Sequence, residues 1–253
     1  MIDAHAHYDD HAFDEDRDTL LPYLHENGVE VIINSGADLE SSKSSIALAE
    51  KYDFVYAAVG FHPDFADKVR ESDYEELLKF TKHEKVVAVG EIGLDYHYGR
   101  EYKEQQKEMF ARQMNIAHEA SLPVVIHERE ACADALGILK NKKVLETGGL
   151  MHCFSESPET MEIVLSMGMY ISLGGVVTFK NAKTAPLCAA KVPKDRLLLE
   201  TDCPYLAPVP YRGKRNNSLY IKFSAEKIAE LRGVSASEII SATAENARRF
   251  YGI

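Results

Sequence analysis

The 253-residue chain has no apolar run of 18 residues, so the sequence offers no candidate for a membrane-spanning helix. Its first residues, MIDAHAHYDD, carry acids rather than a basic patch followed by an apolar core, so no secretory signal is expected. No Cys-x-x-Cys pair occurs among the four cysteines, Cys132, Cys153, Cys188 and Cys203. That argues against a zinc ribbon and against a disulfide scaffold; free thiols in a reducing cytoplasm are expected. Positive charge is scarce: 29 Lys and Arg stand against 40 Asp and Glu, a formal net charge of −11. A protein that holds duplex DNA by electrostatics alone is usually basic, so nucleic-acid chemistry here needs cations concentrated locally or supplied as metal ions. No Pro/Gly/Ser-rich linker or low-complexity segment divides the chain, and residues 1–253 are expected to form one domain.

What is present is an alternation. Short β-rich runs cover residues 2–7, 29–37, 55–62, 86–94, 123–128, 149–154, 170–177 and 197–205. Most are apolar with little polar alternation, which suits a parallel sheet covered by helices on one side and filled on the other. Between them lie helical stretches. One covers residues 14–27 and is closed by Gly28; another runs from an Asp38 N-cap to about Tyr52. A third covers residues 102–120, with Phe110, Met114 and Ala117 at i, i+4 and i+7. A fourth starts at Ser157-Pro158 and ends at Gly168. Residues 207–219 read as a long loop over the barrel mouth, followed by helices over residues 222–231 and 237–250. Eight strands, each followed by a helix, predict an α/β fold, a (β/α)8 TIM barrel. Its active site is then built at the C-terminal ends of the strands.

Those strand ends hold His5, His7, His62, Glu91, His127, His152, Glu200 and Asp202. His5 and His7 lie two apart on one strand and so point to the same side. Taken singly, each residue reads as a hydrogen-bonded rim or core group, a helix cap at Glu91 or a turn residue at Asp202. Taken together, this many ionisable groups buried at one end of a barrel would be very costly without a cation. Histidines with carboxylates suit Zn²⁺, Mn²⁺ or Co²⁺ better than Ca²⁺.

The motifs DAHAH, VGFHP, GEIGLDY, VVIHER, MHCFS, LLLETDCPYL and RGKRNN, in this order from residue 3 to about 217, resemble those of the TatD-type metal-dependent hydrolases of the amidohydrolase superfamily. The resemblance implies a barrel with two divalent ions per chain (Zn, Mn, Mg or Co). His5 and His7 would hold the first ion, Glu91 would bridge, and His127 and His152 would hold the second. Asp202 would bind the first ion and act as general base on the attacking water. Glu200 faces the same side of its strand as Asp202. It could orient Asp202 or the water, bind a further ion, or fix a histidine tautomer. His62 resembles a position that contacts the substrate phosphate; the alternative is a structural rim histidine. Arg212, Lys214 and Arg215 cluster after the eighth strand, where phosphate anchoring competes with a solvated face. The chain departs from the family pattern at Tyr8, Glu156, Asn217 and Ser218, which bears on substrate fit rather than on the metal chemistry.

These readings lead to a metal-dependent deoxyribonuclease, a 3′ to 5′ exonuclease on single-stranded or nicked DNA, with Phe61, Tyr96, Tyr98, Phe154 and Tyr205 as aromatics that could stack on bases or simply pack the rim. The alternatives are an amide or ester hydrolase, such as an aminoacyl-tRNA deacylase acting on a tRNA ester, and a metal-loaded barrel that binds without catalysis. No membrane association and no obligate protein partner are expected.

Overall fold

Apolar β-branched runs that do not alternate become strands when helices cover one face and side chains fill the other. The computed structural model describes residues 1–140 and 146–253. Its strands are β1 (Ile2–Ala6), β2 (Val31–Ser35), β3 (Val55–Val59), β4 (Val86–Asp95), β5 (Val124–Arg129), β6 (Gly149–Met151), β7 (Tyr170–Leu173) and β8 (Leu197–Leu199). They follow one another in a single sheet in chain order and alternate with helices, which makes the fold a (β/α)8 barrel. Every expected run contains a strand. β1, β2, β3, β6, β7 and β8 stop short of the sequence pattern, because the residues at their ends turn out of the ladder into loops, so His7, Glu200 and Asp202 lie just beyond their strands rather than on them. β4 and β5 run one residue further, to Asp95 and Arg129.

The helices among the described residues are α1 (Arg17–Glu26), α2 (Leu39–Lys51), α3 (Glu71–Phe80), α4 (Lys103–Ala120), α5 (Cys132–Leu139), α6 (Pro158–Ser166), α7 (Thr184–Lys191), α8 (Ile221–Arg232) and α9 (Ala236–Tyr251). Asp38 starts α2 in a capping box: its carboxylate accepts from Ser41 N at 2.8 Å, and its own N–H donates to Ser41 Oγ at 2.9 Å. Ser157 Oγ accepts from Thr160 N at 3.2 Å ahead of α6. No helix among the described residues is long and apolar enough to cross a membrane. All four cysteines are free thiols.

The chain forms two compact units. The first comprises Met1–Asn34, Cys153–Leu165 and Tyr170–Ile253. Within it β1 pairs with β2 and β7 with β8, both in parallel. The end of β1 is tied to the segment after β8 by Asp202 N donating to His5 O at 3.0 Å and His7 N donating to Cys203 O at 2.8 Å. Tyr251 of the last helix donates to Ala4 O at 2.7 Å and anchors the chain end under β1.

The second unit comprises Ser35–His152 and Ser166–Met169. Its strands β3 to β6 pair in parallel, and all ten residues of β4 are buried. Gly93 lies opposite His127 in the β4–β5 register, and a Cβ there would come within 1.9 Å of His127 O. Only glycine lets β5 approach this closely, and its φ of +143° is one that residues with a side chain rarely adopt.

Candidate metal centre

In the first unit, the backbone places His5 and His7 side by side. His5 Nε2 lies 3.0 Å from His7 Nε2, and Asp202 Oδ1 lies 3.6 Å from the former and 3.3 Å from the latter. A tetrahedral ion with bonds of about 2.0–2.1 Å holds its ligand atoms about 3.3–3.4 Å apart, so this triangle has the size that such an ion requires. Asp202 reaches it from a left-handed backbone position, φ +55°, fixed by its N–H bond to His5 O. His5, His7 and Asp202 form one of the groups able to hold a cation.

In the second unit, the alternation of β4 puts Glu91, Gly93 and Asp95 on one face. His127 stands opposite the glycine, between the two carboxylates. Its Nδ1 lies 2.8 Å from Glu91 Oε1 and its Nε2 lies 3.0 Å from Asp95 Oδ2. His152 Nε2 is 2.8 Å from the same Glu91 oxygen and 3.3 Å from His127 Nδ1. Burial works against charge on His127, but Asp95 and Glu91 outweigh it and hold the imidazolium up to about 9. Burial likewise opposes ionisation of Asp95, yet the His127 hydrogen bond and the His97 and Tyr98 N–H groups bring its pKa down to about 2. Two nitrogens and a carboxylate oxygen that converge in this way suit a divalent cation in place of the shared protons.

His62 also comes into this group, with Nε2 3.7 Å from Glu91 Oε1. Burial drives its pKa down to about 4, so the ring is neutral. Its Nδ1 accepts from Asp64 N at 3.2 Å, which leaves the proton on Nε2. A protonated Nε2 is a hydrogen-bond donor, and His62 also counts with Glu91 and His127 among the groups able to hold a cation.

Asp95 is the site residue that the sequence pattern does not reveal, because it reads as a turn residue one step beyond the apolar run. Two buried glutamines of α4 hold this region. Gln106 accepts from Asp95 N at 2.9 Å and donates to Asp95 O at 2.8 Å. Gln113 accepts from Phe61 N at 2.7 Å and donates to Phe61 O at 3.0 Å, beside His62. Their only sequence signal is their place on the apolar face of α4, beside the buried Phe110, Met114 and Ala117.

Glu200 is buried, and both its oxygens accept hydrogen bonds: Cys153 N donates to Oε1 at 2.7 Å and Ser172 Oγ to Oε2 at 2.5 Å. Two of the departures from the family pattern meet each other. Ser218 Oγ donates to Asp3 Oδ2 at 2.6 Å, and Tyr8 Oη in turn donates to Ser218 Oγ at 2.7 Å and accepts from Ser218 N at 2.9 Å. Burial pushes the Asp3 carboxyl up to about 7, against bonds from Ser218 and Thr201. Of the basic cluster, Arg215 is committed to Asp16, at 2.8 and 2.5 Å, and to Ala12 O at 2.6 Å. Arg212 lies over the Phe179 ring and donates to Asn181 Oδ1 at 3.3 Å, and Lys214 is exposed. Phe61, Tyr96 and Phe154 are buried as packing, whereas Tyr98 is 67% and Tyr205 54% exposed.

The pattern of the TatD related DNase family matches residues 2–252. The chain belongs to the TatD family. It is 44% identical over 253 residues to YabD of Bacillus subtilis, described as an uncharacterized metal-dependent hydrolase, with 100% of this chain and 99% of that protein covered. It is 39% identical over 256 residues to the similarly described YcfH of Escherichia coli, covering 100% of this chain and 96% of that one. The crystal structure of the TatD homologue YjjV from Escherichia coli superposes with a TM-score of 0.94 at 32% identity, covering 100% and 98% of the two chains. This TatD protein is therefore a metal-dependent hydrolase.

Proposed function

We propose that this TatD protein hydrolyses phosphodiester bonds of single-stranded or nicked DNA from the 3′ end, with two divalent ions drawn from Zn, Mn, Mg and Co. The observation that carries the reading is the first donor triangle, whose 3.0, 3.3 and 3.6 Å edges fit a tetrahedral cation. In this reading His5, His7 and Asp202 hold one ion, and His127, His152 and Glu91 hold the other. When bound, such ions acidify water and neutralise charge on a phosphoryl group.

The chain's own residues supply the rest. Asp202 turns Oδ1 toward the two imidazoles and takes the proton of the attacking water as general base. Asp95 holds the proton on His127 Nε2 and so directs the lone pair of Nδ1 into the site. His62 donates from Nε2 to a substrate phosphoryl oxygen. Glu200 acts as a positioning residue for Asp202, two residues further along the chain, its own carboxylate held by Cys153 N and Ser172 Oγ. Arg212 and Lys214 attract phosphate groups, while Arg215 fastens their loop to Asp16.

The test is the metal content of the purified protein together with degradation of 3′- and 5′-end-labelled single-stranded DNA. About two equivalents of metal and progressive loss from the 3′ end are expected. A fully metallated protein that leaves DNA intact and hydrolyses aminoacyl-tRNA esters would replace the nuclease reading.

A further inference from the structure

The β4–β5 register pairs Asp95 with Arg129, just as it pairs Gly93 with His127. Arg129 is two residues beyond His127 on β5, on the same face and about 6.6 Å further along the strand. It is exposed and, among the described residues, has no ion pair, unlike Arg215, which is bound to Asp16. Its guanidinium lies over the Tyr98 ring, 5.0 Å from the centroid. Tyr98 follows directly from the turn whose backbone Asp95 holds, with Tyr98 N donating to Asp95 Oδ1 at 3.2 Å. It is the most exposed large hydrophobic side chain among the described residues. A planar cation and a largely exposed aromatic ring thus stand together, one strand step beyond the second donor set.

The geometry points to Arg129 and Tyr98 as a nucleotide subsite: the Arg129 fork binds the phosphate next to the scissile one, and Tyr98 stacks on the adjoining base. This rests on the nuclease reading above and assigns its substrate contacts on this side of the site. An arginine fork matches two phosphate oxygens at once, and an aromatic face accepts any base, so the pair favours a single strand without selecting its sequence. His97 is bound to Glu130 at 2.7 Å and meets the Tyr98 ring in a T-shaped contact, with centroids 4.5 Å apart, which braces the ring beside the guanidinium.

The experiment measures binding of fluorescein-labelled dT12 to the metal-loaded Asp202→Asn protein, across a range of salt concentrations, with Arg129→Ala, Arg129→Lys or Tyr98→Ala added. Arg129→Ala should raise Kd about tenfold or more and flatten the salt dependence by about 0.7 in log–log slope, the share of one phosphate on a single strand. Arg129→Lys should restore the slope but only part of the affinity, because it keeps the charge and loses the fork. Tyr98→Ala should raise Kd at least about fivefold and leave the slope unchanged. Metal content measured in each sample excludes a damaged donor set as the cause. Unchanged Kd and slope in the Arg129→Ala protein, or no dT12 binding by the Asp202→Asn parent, would overturn the assignment. A wild-type protein that binds dT12 through this pair yet never cleaves DNA would overturn the nuclease reading alone.

Discussion

Replacing Asp95 with asparagine should damage metal binding more than replacing it with alanine. Asp95 Oδ1 accepts two backbone N–H groups, from His97 at 2.8 Å and Tyr98 at 3.2 Å, while Oδ2 faces His127 Nε2 at 3.0 Å. An asparagine at 95 must keep its oxygen toward the two N–H donors, because an amide NH₂ there would oppose them. Its NH₂ then points at His127 Nε2 and donates to it, which moves the imidazole proton to Nδ1. That nitrogen is the one facing Glu91 and His152. The substitution thus loses a supporting contact worth about 10–100-fold in metal affinity and also blocks the ligating lone pair. Alanine loses the contact and the two N–H bonds, which water can replace, but it leaves the Nδ1 lone pair free. In free energy the contact is about 1.4–2.8 kcal/mol, at about 1.4 kcal/mol per tenfold, and the tautomer penalty adds to it only in the asparagine variant. Competition between the stripped protein and a chromogenic chelator for Zn²⁺ measures the weaker site directly. Asparagine binding within about threefold of wild type, or tighter than alanine, would refute the tautomer argument.

Asp202→Asn should slow single-turnover hydrolysis by about 10²–10⁴-fold with the fold intact; a fully metallated variant within a few-fold of wild type would remove Asp202 from the chemistry. Tyr8→Phe should lower stability by about 1–3 kcal/mol in urea unfolding of the metal-saturated protein, because Ser218 N loses its acceptor in a buried position. An unchanged midpoint would show that the Tyr8–Ser218 contact contributes nothing. Chelation should lower the melting temperature: metal at 100 times its Kd contributes about 2.7 kcal/mol per site, or roughly 5–10 °C for a chain of this size. A melting curve unmoved by EDTA would argue against ions held by these donors.

The barrel was legible because its strands are almost unbroken apolar runs, and an acid or histidine at the end of such a run stands out. The donors proposed above, His5, His7, Glu91, His127, His152 and Asp202, stand out in the sequence for that reason. Asp95 was not: it follows Leu94 as the first polar residue after the run and looks like the start of a turn. α3, α5 and α7 were expected only as the helices that must follow their strands, without a range of their own. The basic cluster was legible as charge but not as geometry. Arg215 finds its partner in Asp16, far back in the sequence, and nothing local signals that pairing. Arg129 was hidden inside the VVIHER motif, where its histidine drew the reading.

The glutamines of α4 act as a gauge block. Gln106 and Gln113 are seven residues apart, about 10.5 Å along the axis and nearly on one face. One clamps the backbone at Asp95 and the other at Phe61. The outward positions between them are free to vary in type, but the interval is not free to vary in length. A single residue inserted between Gln106 and Gln113 would turn one amide about 100° away from its strand and shift it about 1.5 Å. Lineages of this chain should therefore drift freely in the letters of this helix while holding its count, so that insertions and deletions accumulate elsewhere on the barrel.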